Sequence, residues 1–394
     1  MLFLPLLASC DKWGSEEGHQ GRELIYLAAR HDGMVRTKVP YDTENGKPSP
    51  DNHLNVEVWA STFDGTFLHK EGWDGTKDVD ANGDNNVEEN ERAVSVHTKA
   101  FFQSDQPQLL SQAIYPPPIH EENGVKKADP VYFVGLYPQS VDSTDGTSKW
   151  TTNTEGEGKG KTASYIFNGS QDLMYAPKVQ GQYDVSENQN ETTTTTPTLH
   201  FHHLLTRFNV SIGADLESGV QLVDIEQAWG KVTGLWIQCY DPQGWGYGVN
   251  SLTVDLAKGM SDSGVVTMGD HDKQLMMNFY KTGKDEVFPG IEYYKISEME
   301  EVAYVMCAPV EAVADSDEYV LIIETQKENQ EPKTTELFLN LKKKENDIDK
   351  ELTGSSMGKE FNINLVFKKT RAIAEVVAIS PWETGGQGSG DIKD

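Results

Sequence analysis

The sequence predicts an all-β protein arranged as two antiparallel β-sandwich domains in tandem, and three observations carry that prediction. Short runs with period-two alternation, rich in β-branched and aromatic residues, recur along the whole chain. Turn chemistry punctuates them at Asp64-Gly65, Asp74-Gly75, Asn82-Gly83, Asp145-Gly146 and Asn168-Gly169. The chain has 394 residues, too many for one ordinary sandwich and about right for two, and no long stretch carries 3.6 periodicity.

The N-terminus reads first as a processing segment. Leu2-Phe3-Leu4-Pro5-Leu6-Leu7-Ala8-Ser9-Cys10 is an apolar run closing on small residues before a cysteine. It resembles a lipobox, in which the peptide is cut before Cys10 and the thiol takes a lipid. The run lacks a Lys/Arg leader and is short for a signal peptide, which points to a start site placed too late. Residues 1–20 are therefore expected to be signal peptide and tether. Asp11 to Glu17 resembles an acidic surface-export signal. No other segment approaches the ~20 apolar residues of a membrane-spanning helix. The expected location is the cell outer membrane, with the protein held on the surface by its lipid.

The alternating runs follow at Leu54–Trp59, Val131–Tyr137, Phe208–Ile212, Val232–Cys239, Tyr319–Thr325, Glu336–Leu341, Phe361–Phe367 and Ile373–Ile379. Ser186 to Pro197, with five consecutive threonines, reads as an extended linker between domains at 21–185 and 198–385. Asp74–Glu91 and Ser140–Lys161 read as long exposed insertions, and the glycine-rich end, 386–394, as a flexible tail. The formal charge of −28 is spread along the chain without a basic stripe. Such a surface repels phosphate backbones and anionic headgroups, which argues against nucleic acid as a partner.

Of the three cysteines, Cys239 and Cys307 lie in apolar strand contexts. A disulfide and two separately buried thiols are both compatible with that placement. The strongest metal motif is Asp78 to Glu89, which fits the calcium loop pattern D-x-D-x-N-G-x5-E. Calcium would take oxygens from Asp78, Asp80 and Asn82, the Asp84 carbonyl, Asn86 through water, and Glu89. Asn85 stands where an apolar residue is usual and the flanks lack helical pattern, so an acidic solvated loop is the competing reading. No cofactor is required; Ca2+ is the one candidate. Gly354-Ser355-Ser356-Met357-Gly358 matches G-x-S-x-G, but a strand follows where a nucleophile elbow needs a helix. His200 and His202 share a strand face without a third metal ligand. Trp245 and Tyr247, set among glycines, either present rings to a sugar or form a tight hairpin with partly buried rings. Nothing in the chain calls for an enzyme.

Several segments in order resemble the fimbrillin family, the subunits of Bacteroidetes type V pili. Gln171-Asp172-Leu173-Met174-Tyr175-Ala176 is similar to the close of the family's first domain. Leu199-His200-Phe201-His202-His203-Leu204-Leu205-Thr206-Arg207-Phe208 resembles the strand that opens its second. Val131 to Pro138 resembles a family strand ending in Tyr-Pro, and Gly358–Leu365 with Ala378-Ile379-Ser380-Pro381-Trp382 resembles its final hairpin. The resemblance implies transthyretin-like sandwiches, a structural or adhesive role in pili, and no catalysis. It also implies partnership with other pilus subunits by strand exchange, after a protease removes the first strand behind an arginine. Glu23-Leu24-Ile25-Tyr26-Leu27-Ala28-Ala29-Arg30 is the natural first strand, with Arg30 and Arg36 as the candidate cut sites. A stand-alone glycan-binding lipoprotein, with or without calcium, is the alternative. On the opening strand of the second domain, Leu199, Phe201, His203 and Leu205 are expected to face one way, which makes His203 a hydrogen-bonded core histidine.

Overall fold

A computed structural model describes residues 26–31, 54–61, 64–69, 94–102, 108–109, 119–122, 125–128, 130–140, 149–154, 159–181, 183–185, 192–194, 197–216, 219–239, 251–269, 274–279, 300–309, 319–339, 343–345, 348–350 and 356–381. The first half contributes β1 (Tyr26–His31), β2 (Leu54–Ser61), β3 (Val94–Phe102), β4 (Val131–Tyr137), β5 (Thr162–Ile166), β6 (Met174–Gly181) and β7 (Thr198–His203). The second contributes β8 (Thr206–Ala214), α1 (Leu222–Trp229), β9 (Lys231–Cys239), β10 (Ser251–Asp255) and β11 (Val266–Met268). It ends with β12 (Glu300–Cys307), β13 (Tyr319–Gln326), β14 (Lys333–Phe338), β15 (Lys359–Phe367) and β16 (Ala372–Pro381). The all-β class holds.

Alternation explains these strands residue by residue. In β15, Phe361, Ile363, Leu365 and Phe367 are buried while the residues between them are half-buried. β8 lies parallel to β15 and antiparallel to β12, and the sheet runs Asn278–Phe279, β12, β8, β15, β16. Facing strands run Gln274–Met276, β9, β13, β14. Leu235, Ile237, Leu321 and Ile323 from this second sheet share one buried cluster with Phe208, Val210 and Phe361 from the first. These two sheets are the second sandwich.

Among the described residues, the first half centres on an eight-stranded sheet in the order Leu68–His69, β3, β2, β4, β6, β7, β1, Gln108–Leu109. Both its faces are apolar, so both need cover. One carries Val56, Val58, Phe133, Ala176, Leu199 and Phe201 in a core of their own. The other carries Trp59, Val134, Leu136 and Tyr175, which join the cluster that continues into the second sandwich.

Several expectations are corrected. The Glu336–Leu341 strand begins three residues earlier and ends at Phe338. The threonine run is not wholly an extended linker: Thr192–Thr194 pairs antiparallel with Tyr183–Val185, because threonine is a good strand former once a ladder partner is present. The Ser140–Lys161 insertion is not wholly exposed. Trp150 is buried, donates its ring N–H to the Pro138 carbonyl at 3.1 Å, and leads into Thr151–Thr152, which pairs with β5. The helix α1 was not expected; it buries only Ile225 and starts where the Gln221 amide donates to the Asp224 carboxylate at 3.0 Å.

The division at 186–197 does not separate the hydrogen-bonded sheets either. β7, beyond it, belongs to the large sheet of the first half. The β10–β11 hairpin, farther beyond, pairs with β5 through Thr162↔Asp255, Ser164↔Thr253 and Ile166↔Ser251, giving a sheet ordered β11, β10, β5, Thr151–Thr152.

Candidate functional site: the seat of the first strand

The strand singled out for exchange is described from Tyr26 to His31 and lies next to the edge of the large sheet. β1 lies parallel to β7, with Ala28 opposite Thr198, Ala29 opposite Leu199, Arg30 opposite His200 and His31 opposite Phe201. Its other edge pairs antiparallel with Gln108–Leu109. The Ala28 amide donates to the Pro197 carbonyl at 3.1 Å, extending the ladder by one bond. Leu27 and Ala29 are fully buried and Ala28 is 6 % exposed, so the strand is covered on both faces.

Residue size sets the shape of the seat. The described side chains of β1 are one leucine and two alanines, and beside them Phe201 crosses toward β4, where its ring fills the space above Gly135. Leu27, Ala28 and Ala29 bury less apolar surface than four large side chains would; Leu24 and Ile25 lie outside the described residues, and Tyr26 is described by its backbone alone. Leu27 contributes about 1.5–3 kcal/mol and each alanine less. The rest of the strand's hold is the ladder to β7, whose edge would lose its partners if β1 left.

The join between β6 and β7 carries the polar groups. His203 Nδ1 is 3.0 Å from the Asp172 carboxylate, which is itself buried. His203 is therefore hydrogen-bonded, as expected, but it is half-buried and not a core residue. Leu199 and Phe201 are buried and His200 exposed, following the strand period; β7 ends at His203, and both Leu204 and Leu205 are then buried. A second polar group sequence reasoning missed: Glu57, although nearly buried, accepts the Trp59 ring N–H and the Ser140 amide, each at 3.0 Å. Its spacing from Trp59 on one strand face was the available signal.

The other predicted residues are placed unevenly. Ser356, the serine of the G-x-S-x-G match, is fully buried, its Oγ 2.7 Å from Thr206 Oγ1 and 3.3 Å from the Tyr319 hydroxyl, and β15 follows it. That is a core knot, with no room for a substrate. Cys307 is a buried thiol on β12, and the Cys239 backbone lies on β9 in the opposite sheet. Among the described residues no group of three or more His, Cys, Asp or Glu is placed to hold a metal ion. Also among them, no helix is long and apolar enough to cross a membrane. Arg30 sits within β1 by its backbone. Cys10, Arg36, the Asp78–Glu89 loop with Asp80, Asn82, Asp84 and Asn86, the rings of Trp245 and Tyr247, and Trp382 lie outside the described residues.

Compared with known proteins, the chain matches no family model and no curated protein. Among solved structures it is similar to a candidate cell adhesion protein of Bacteroides uniformis, at 14 % identity over 91 % of this chain and 99 % of that one, with a TM-score of 0.43. A fimbrial protein of Bacteroides vulgatus is similar at 15 % identity over 91 % and 99 %, with a TM-score of 0.41. A candidate polysaccharide-binding protein of Bacteroides thetaiotaomicron is similar at 10 % identity over 87 % and 91 %, with a TM-score of 0.35.

Proposed function

We propose that this chain is a surface lipoprotein of the fimbrillin type, tethered through Cys10, which serves as a structural or adhesive pilus component and joins its neighbours by strand exchange at the β1 seat. The observation that supports this reading best is the place of β1: a short apolar strand near the N-terminus, inserted between β7 and Gln108–Leu109 and buried on both faces. A strand held this way can leave as a unit and be replaced by another of the same backbone geometry, because the ladder to β7 recognises main chain and only the small seat recognises side chains.

We favour the second of the two cut sites. The bond after Arg30 lies inside the paired register, where a protease that binds extended substrate cannot reach it while β1 is docked. Arg36 stands beyond the end of the strand in sequence. We therefore assign processing to Arg36. An uncut chain keeps both lipid and β1 and acts as an anchor or stand-alone adhesin. A cut chain gives up both and takes a neighbour's strand.

N-terminal sequencing of the protein recovered from the cell surface tests the reading, together with radiolabelled palmitate incorporation in wild type and Cys10→Ala. A chain beginning at Thr37 in fibres, from a precursor whose label depends on Cys10, is the expected result. Equal labelling of both proteins removes the anchor. A blocked, lipidated Cys10 on every assembled subunit removes strand exchange.

A further inference from the structure

The β10–β11 hairpin belongs to the second half by sequence and to the first half by hydrogen bonding. β10 docks along β5 over five residue pairs, and at the centre Ser164 Oγ and Thr253 Oγ1 stand 2.7 Å apart. Beyond the end of β10, the Leu256 amide donates to the Lys161 carbonyl at 2.9 Å. The buried Tyr175 hydroxyl reaches from β6 to the carbonyls of Leu256 and Lys258, at 3.4 and 3.3 Å. Leu252, Val254 and Leu256 sit in the same cluster as Trp59, Trp150 and Tyr165. Without this hairpin, the Trp59–Tyr175 face of the large sheet would lose half of the sheet that covers it.

A second seam ties the halves from the other direction. The Gly169 carbonyl, in the turn after β5, accepts the Met306 amide of β12 at 2.8 Å and the Asn278 side-chain amide at 3.1 Å. A single apolar cluster then runs from Trp59 and Tyr165 to Phe208 and Phe361 without a polar break. Independent domains meet through few contacts across an exposed linker. Here the crossing is a strand ladder, a buried tyrosine and a shared core.

We propose that the hairpin welds the two sandwiches into one cooperative unit, so that neither opens while the other stays folded. The linkage is directional in sequence: residues 251–268 are the only part of the second half that supplies strands to the first half's covering sheet, among the described residues. A perturbation seated in the hairpin is therefore felt in β15, which it does not pair with, as strongly as in β4. This holds whether β1 is exchanged or kept, so its failure is separable from failure of the pilus reading.

Native-state hydrogen exchange of the full chain across a urea series tests it, under conditions where exchange reports opening equilibria. Peptides from β4, β10 and β15 are expected to open with one free energy and one urea slope. Leu252→Ala, a buried large-to-small change, is expected to speed exchange by about 30-fold or more, by the same factor in β4 and β15. Should that variant not fold, Thr253→Ala perturbs the same ladder more mildly, and the wild-type comparison of β4 with β15 stands alone. Two separate transitions, or a hairpin variant that loosens β4 while β15 keeps its protection, would overturn the proposal.

Discussion

Gly135 and Phe201 make the sharpest test of how the first half is packed. A Cβ at position 135 would lie 2.4 Å from Phe201 Cζ, 2.8 Å from Cε1 and 3.1 Å from the Ala176 Cβ. Ordinary carbon contacts fall at about 3.5–4.0 Å, so Gly135→Ala drives an overlap of more than about 1 Å into a ring that is fully buried. Overpacking of this kind costs about 1–3 kcal/mol. Alanine returns about 0.5–1 kcal/mol over glycine within a strand, leaving a net loss of up to about 2.5 kcal/mol. Phe201→Leu alone leaves a cavity and also destabilises, by about 1–2 kcal/mol on the scale of large-to-small core changes. Together the two changes relieve each other, because the shortened side chain vacates the space the new methyl needs. Urea unfolding of the four proteins is the assay. The expected result is a double mutant more stable than the sum of the singles by about 1 kcal/mol. Additivity to within about 0.5 kcal/mol would mean that ring and strand do not share that space, and the packing described for the β1 seat would be wrong.

Tyr175 gives an alkaline signature. Burial, helped by the Asp255 carboxylate, pushes its phenol well above the ordinary value of 10.0 in the folded chain. The unfolded phenol ionises first, so the stability this group contributes is complete below about pH 10 and declines as pH rises beyond it. Tyr175→Phe should flatten that decline in melts taken between about pH 9 and 11, and an unchanged profile would refute the assignment. Ser356→Ala removes one partner each from Thr206 and Tyr319, which keep the Ser356 and Ala308 carbonyls at 2.9 and 3.0 Å, and should cost about 0.5–1.5 kcal/mol; an unaltered melting temperature would show that the knot is dispensable. If Asp78–Glu89 binds calcium, about 1 mM of the ion should raise the melting temperature relative to chelator. The Asp78→Ala, Glu89→Ala double variant should abolish the rise, and a wild type indifferent to calcium leaves an acidic solvated loop.

The strands were legible because alternation is a local property. Phe361–Phe367 carries its inward and outward faces in its own residues, and Val131–Tyr137 is an apolar run that announces a strand buried on both faces, so no partner need be known to see them. Pairing is not local, and there the reading ran out. Ser251–Asp255 alternates in the same way whether it docks on β9 or on β5, so nothing in its residues announces that it crosses to the first half. The threonine run looked like a linker because composition cannot reveal that Tyr183–Val185 waits to pair with it. The helix α1 is too short to show a period, and a single buried Ile225 is no stripe. The seat of β1 was half legible: apolar character on both faces identified a covered strand, while its parallel register against β7 came only from the fold.

The crossing of β10 to β5 sets an order of events for any route that delivers the chain N-terminus first, through a ribosome or a translocation channel. By His203 every strand of the large sheet has emerged, yet one of its faces still waits for residues 251–268. Until then Trp59 and Tyr175 present a sticky surface and the edge of β5 is open to pairing. The emerging half is at that stage a client for a holding chaperone and a hazard for aggregation. Its completion is tied to the arrival of a hairpin carried by the half that follows.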